Sequence, residues 1–387
     1  MKFRLLLILI LILILAGCDT DPTPAPESVH TVPSTEATQP TQEETIPPTT
    51  LPPDPIDVLL ESMSLEERVG QLFLARCNSA VAAEDAARYH LGGYVLFGVD
   101  FENQTVQSVT DTIASYQDQA SIPLLIAVDE EGGTVNRVSR YSQFRSSPFP
   151  SAKNLYNQGG TELLLSTEEE KCQLLASLGI NVNLGPVCDI TTQYGAILYH
   201  RSLGQSPEVT SDIIAQIVQL MSRNHIGSVL KHFPGYGNNA DTHVGIATDS
   251  RSLEELEAND LIPFQAATQS DCSAILVSHT IVRCLDPELP ATLSPAVITY
   301  LRRQVGFQGV VVTDDLVMQA ITDRYGAEEA AVMAVAAGCD LLCSSEYPLQ
   351  YKGVLQAIES GRLSKTRVMQ AAVRVLQWKY DLGLLEP

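Results

Sequence analysis

From residue 55 onward, short apolar runs alternate with longer helix-like segments. The runs are 71–76 (QLFLAR), 93–98 (GYVLFG), 123–129 (PLLIAVD), 180–187 (INVNLGPV), 227–232 (GSVLKH), 273–279 (SAILVSH), 308–314 (QGVVVTD) and 340–343 (DLLC). Each has the length and flanking of a buried strand. The segments between them carry helix-start signals, since Ser64-Leu65-Glu66-Glu67 and Ser252-Leu253-Glu254-Glu255 both have capping-box spacing. Eight such alternations predict a (β/α)8 barrel, an α/β fold whose parallel strands are ringed by helices.

The polar residues of these apolar runs sit at their C-terminal ends: Asp129, Asp189, Lys231-His232, His279 and Asp314. In a barrel those ends meet on one face, where the loops build an active site. The pattern therefore gathers residues scattered over nearly 200 positions into one candidate site.

The first 54 residues follow neither pattern. Lys2 and Arg4 precede the apolar run Leu5–Leu15, which is too short for the roughly 20 residues of a membrane span and reads as a signal-peptide core. Leu15-Ala16-Gly17-Cys18 resembles the bacterial lipobox, so residues 1–18 are expected to be a lipoprotein signal with Cys18 the lipidated residue. That predicts attachment to the extracytoplasmic face of the cell membrane through a lipid anchor. Residues 19–54, rich in Pro, Thr and Glu and free of Lys and Arg, are expected to form an extended, disordered tether. Residues 55–387 then form the folded part.

With 45% apolar residues in 387, the chain has enough hydrophobic material for a large core. Its net charge of −22 argues against a nucleic-acid partner, because phosphates are neutralised by Lys/Arg patches that are lacking here. Besides Cys18 the cysteines are Cys77, Cys172, Cys188, Cys272, Cys284, Cys339 and Cys343, an odd, scattered set mostly within apolar runs. They read as buried free thiols, without zinc-ligand spacing to histidines.

The stretch Lys231-His232-Phe233-Pro234-Gly235-Tyr236-Gly237, running into Asn238-Asn239-Ala240-Asp241-Thr242-His243, carries the densest chemistry. An aspartate two residues from a histidine can orient the ring and stabilise its protonated form, and a histidine with a pKa near 6.5 both gives and takes protons at neutral pH. Asp314-Asp315 follows Gly309-Val310-Val311-Val312-Thr313, so a carboxylate stands at the mouth of a buried strand. One of the pair is expected to act in chemistry and the other to cap a helix or bond locally; physics alone does not fix the order.

These motifs resemble the β-N-acetylhexosaminidase branch of glycoside hydrolase family 3. KHFPGYGNNADTH resembles that branch's Lys-His-Phe-Pro-Gly-His-Gly segment followed by Asp-Ser/Thr-His, and GVVVTDDL its nucleophile strand. IAVDEEGGTVNRV, PFPSAKNL, NLGPVCDI, HRSLG, ILVSHT, PATLSP and AAGCDLL extend the likeness over residues 57–380. The resemblance implies a retaining exo-β-N-acetylglucosaminidase acting through a covalent glycosyl-enzyme, with peptidoglycan fragments as the expected carbohydrate substrates. It implies Asp314 as nucleophile and His243, supported by Asp241, as acid/base. Asp129, Arg137, Arg201, Lys231 and His232 are then the sugar-binding residues. Neither a metal nor an organic cofactor is implied.

The chain departs from the branch at Tyr236, where histidine is usual, and at Thr134, which replaces the first arginine of Gly-Gly-Arg-Val. Ala247 stands where proline is common, and Glu130 where glutamine is common. None removes a residue assigned to bond-making, so activity is expected, with loop closure or the leaving-group subsite altered. His279 reads equally as a site residue or as a hydrogen-bonded histidine near the barrel mouth. Family relatives that act on glucosides take their acid/base from a second domain, whereas here the barrel is expected to supply it.

Three alternatives remain. A metal-dependent hydrolase using His232, His243, His279 and Asp314 would be expected to carry His-x-His on its first strand, and 71–76 has no histidine. A glycan-binding lipoprotein would do no chemistry. A phosphorolytic enzyme on the same scaffold would use phosphate in place of water, which a histidine acid/base does not repel as a carboxylate would.

Overall fold

The computed structural model describes residues 54–386, apart from 192, 240–244 and 271. The signal segment with Cys18, nearly all of the tether, and Asp241 and His243 therefore lie outside the described residues.

Each predicted strand is present, most of them shorter than the run and β5 and β8 ending one residue later: β1 (Phe73–Arg76), β2 (Gly93–Leu96), β3 (Leu125–Val128), β4 (Val182–Asn183), β5 (Gly227–Phe233), β6 (Ala274–Val277), β7 (Val310–Thr313) and β8 (Leu342–Ser344). All pair in parallel, in the spatial order β8-β1-β2-β3-β4-β5-β6-β7. A parallel bridge between Val312 and Leu341, with the Thr313 N–H donating to the Leu341 carbonyl at 3.0 Å, brings β7 back to the start of β8. The result is a (β/α)8 barrel.

Alternating side chains divide the core in two, because successive strand residues face opposite sides of a sheet. Leu74, Val95, Leu125, Ala127, Val182, Val229, Leu276, Val310 and Val312 fill the barrel interior. Their neighbours Phe73, Ala75, Tyr94, Ile126, Leu230, Ile275 and Val311 pack outward with the helices. Trp378 and Val375 of the last helix, Lys365–Asp381, and Leu382 just after it join the interior cluster and close its lower end. Both predicted capping boxes form: Ser64 and Glu67 exchange bonds of 2.7 and 3.1 Å, and Ser252 and Glu255 bonds of 2.7 and 3.2 Å. Gly93 opens β2 because any Cβ there would lie 2.1 Å from the Leu125 carbonyl oxygen.

The cysteines Cys77, Cys172, Cys188, Cys272, Cys284, Cys339 and Cys343 are all free thiols, most of them buried. Among the described residues no helix is long and apolar enough to cross a membrane.

Candidate active site

The C-terminal strand ends surround a cavity of about 270 Å³ lined by Asp129, Glu131, Arg137, Arg201, Lys231, His232 and Asp314, together with Phe97, Met318 and Cys343. Every residue the sequence reading assigned to sugar binding lies here, beside the candidate nucleophile. A larger hollow of about 560 Å³ opens at the other end, by the starts of β6 and β7 and the last helix. It lacks the convergent strand-end groups, so chemistry rather than size selects the upper cavity.

The cavity floor is a chain of ion pairs. Lys231 Nζ lies 2.6 Å from both Asp129 Oδ1 and Glu131 Oε1. Arg201 holds the Glu131 carboxylate in a bidentate pair, Nε to Oε2 at 2.9 Å and one terminal nitrogen to Oε1 at 2.7 Å. Burial alone would raise the Glu131 carboxyl, but Lys231 and Arg201 hold it far below the usual carboxylate range. Burial would likewise lower the Lys231 ammonium, yet Asp129 and Glu131 raise it above the ordinary lysine value. Lys231 is thus a fixed, charged donor with 4% of its side chain exposed.

His232 is oriented from both sides. Its Nδ1 lies 2.8 Å from Asp189 Oδ2, and Arg201 lies 3.3 Å from its Nε2. Arginine has only donors, so Nε2 accepts and Nδ1–H donates to Asp189. The strand pairing shifts register between Leu230 and Phe233, and such a break re-aims side chains next to an active site, as seen for Lys231 and His232.

Arg137 reaches the cavity through a loop built on Glu130. The buried Glu130 carboxylate accepts the Arg137 N–H at 2.8 Å and the Val138 N–H at 2.7 Å, and it also bonds the Ser139 hydroxyl. Glu130 thus serves architecture. Arg137 then stands 3.8 Å from Asp129 Oδ2 and 5.6 Å from the Phe97 ring centre.

Asp314 follows β7, its Oδ1 accepting the Asp315 N–H at 2.9 Å. Asp315 takes the local role: it accepts the Val317 N–H at 3.2 Å and the Ser345 hydroxyl at 2.6 Å, tying the ends of β7 and β8 together. Burial pushes the Cys343 thiol well above its ordinary value, and Asp315, Asp314 and Asp129 push it further, which places those carboxylates around the same point. His279 is fully buried and bonded to Thr292 Oγ1 at 2.8 Å and the Asp315 carbonyl at 3.0 Å, and it does not line the cavity. Tyr236 is buried with its ring edge-on to His232 at 5.5 Å, and Thr134 is exposed.

Glu131 and Phe97 are the site residues that sequence reasoning missed. Phe97 had a signal in its position, immediately beyond β2, whereas Glu131 had none in its local sequence.

The model of the glycosyl hydrolase family 3 N-terminal domain matches residues 64–378. The chain is 30% identical over 329 residues to the β-hexosaminidase LpqI of Mycobacterium tuberculosis, covering 82% of this chain and 83% of that protein. It is 35% identical over 264 residues to a β-hexosaminidase of Stenotrophomonas maltophilia, covering 66% of this chain and 77% of that one. Among solved structures, a family 3 β-N-acetylglucosaminidase from Paenibacillus sp. superposes with a TM-score of 0.78 at 32% identity. That match covers 84% of this chain and 63% of the Paenibacillus chain.

Proposed function

The chain belongs to glycosyl hydrolase family 3 and is a glycoside hydrolase, and from that premise we propose that it removes terminal β-linked N-acetylglucosamine with retention of configuration. The observation that carries this reading is that Asp314 lines one small polar cavity with Asp129, Arg137, Arg201, Lys231 and His232. A cavity of about 270 Å³ suits one terminal sugar unit, with the remainder of the glycan outside. The printed names of the relatives, β-hexosaminidase and β-N-acetylglucosaminidase, support the sugar class.

In the proposed reaction an Asp314 oxygen attacks the anomeric carbon as the glycosidic C–O bond breaks. The departing oxygen takes a proton from His243, whose imidazolium Asp241 stabilises. Water then opens the glycosyl-enzyme, giving a proton back to His243 and restoring the β configuration. The roles of Asp241 and His243 rest on their motif. Lys231, Arg201 and Arg137 donate to sugar oxygens and Asp129 accepts, while His232, whose Nε2 accepts from Arg201, holds that guanidinium against the sugar. We place the enzyme on the extracytoplasmic membrane surface, anchored through Cys18, with residues 55–387 as the catalytic barrel and peptidoglycan fragments as substrates.

The test is release of 4-nitrophenol from its β-N-acetylglucosaminide and its β-glucoside. The proposal requires selective turnover of the first, abolished in Asp314→Ala. Equal turnover of both, or full activity in the variant, refutes it.

A further inference from the structure

A second charged cluster lies behind the cavity. Arg251 donates to Asp249 Oδ2 at 2.6 Å, to Asp260 Oδ2 at 2.6 Å and to the Gly235 carbonyl at 3.0 Å. The side chain of Asp260 is 2% exposed, and among the described residues its Oδ1 has no hydrogen-bond partner. Burial raises the Asp260 carboxyl to about 7 against the pull of Arg251, with Asp189 adding to the rise.

The turn Pro234–Gly237 lies directly against the cluster: a Cβ on Gly235 (φ +119°) would stand 2.4 Å from Asp260 Oδ1, and one on Gly237 (φ +54°) 2.7 Å from the Arg251 guanidinium carbon. The same turn presents the Tyr236 N–H to Asp189 Oδ1 at 2.6 Å, and the other oxygen of Asp189 holds the His232 ring. One rigid path therefore runs from Asp260 and Arg251, through the turn and Asp189, to the imidazole.

We propose that Arg251 and Asp260 are positioning residues that fix the His232 imidazole for sugar binding by clamping the Gly235–Gly237 turn. This rests on the reading of His232 as a sugar-binding residue. Loss of a charge-assisted bond to a backbone carbonyl loosens the turn, Asp189 loses a fixed donor, and the imidazole is no longer held in one tautomer.

Two measurements on the whole protein test it: KM and kcat on the 4-nitrophenyl β-N-acetylglucosaminide, and the histidine tautomer pattern by ¹H–¹⁵N NMR, with His232 identified by loss of its signal in His232→Gln. In Arg251→Met we expect KM to rise about tenfold or more with a smaller change in kcat, and His232 to lose its Nδ1–H form. Arg251→Lys should restore part of both, and Asp260→Asn, which keeps shape and removes charge, should fall between. An unchanged His232 tautomer in Arg251→Met with KM within about twofold of the parent overturns the proposal. Where Arg251→Met does not fold, Asp260→Asn and Arg251→Lys carry the same measurement, and parental values in both overturn it. If the parent protein turns over no substrate, the proposed activity fails, while the tautomer readout still decides the clamp.

Discussion

Replacing Glu131 with Gln removes a charge shared by the buried Lys231 and the half-buried Arg201. Glu131 accepts from Arg201 at 2.9 and 2.7 Å and faces Lys231 at 2.6 Å, with 5% of its side chain exposed. The amide keeps one acceptor and turns an NH₂ toward a guanidinium or an ammonium. Removing one partner of a buried pair costs about 3–5 kcal/mol, out of a total stability on the order of 5–15 kcal/mol. Urea unfolding followed by the fluorescence of Trp378, the sole tryptophan, measures the loss. The effect on Lys231 is a second readout. Its ammonium is held above the usual lysine value, so its ionic contribution is complete below that value and disappears as pH rises through the folded-state pKa. Without Glu131, Asp129 alone opposes the effects of burial and of Arg201, and the folded-state value falls. KM of the variant should therefore begin to rise at a lower pH than in the parent. A variant with the parental urea midpoint and the parental KM–pH profile would refute the ion-pair network as the basis of the floor.

Lys379 is wholly buried against Gln71 Oε1 at 2.6 Å, and burial lowers its ammonium to about 7. The unfolded chain then binds more protons between about 7 and 10.5, so this group makes stability rise with pH there, and below 7 its buried charge costs up to about 5 kcal/mol. Lys379→Met should be more stable than the parent at pH 6 and show a smaller gain between pH 6 and 9; a variant no more stable at pH 6 contradicts this. Asp340, fully buried just before β8, accepts from Arg302, from Arg367 at 2.7 Å and from the Val311 N–H at 3.0 Å. Asp340→Asn should cost about 3–5 kcal/mol in urea while leaving KM unchanged, since it lies at the end of the barrel away from the cavity. A changed KM at full stability would place Asp340 in the wrong role.

The barrel was legible because its strands are buried on both sides and read as apolar runs with polar termini, as in β7, where Val310–Val312 lead to Asp314. Some strand ends were overextended: the run 180–187 holds only the short β4, and beyond it Gly185 and Pro186 keep carbonyl bonds to β5 outside a regular strand. That Asp129, Arg137, Arg201, Lys231 and His232 share one cavity with Asp314 was legible through motif and strand-end position together. Glu131 was not, since its ion-pair partners Arg201 and Lys231 lie 70 and 100 residues further on. The two glutamates divide the work by geometry, Glu130 turned to backbone N–H groups and Glu131 to the cavity cations. At Asp314-Asp315 the structure adds a contact that no local spacing encodes, since Asp315 accepts from Ser345 on the neighbouring strand's loop. Arg251 escaped notice because it reaches a backbone carbonyl in a glycine turn, and Asp260 because its partner is Arg251.

The most direct test of the account is covalent trapping with a 5-fluoro-N-acetylglucosaminyl fluoride, whose fluorine slows both steps and whose leaving group needs no acid. Peptide mass spectrometry should find one added 5-fluoro-N-acetylglucosaminyl unit on Asp314, absent in Asp314→Ala. Turnover without an adduct, or an adduct on any other residue, would contradict Asp314 as the nucleophile.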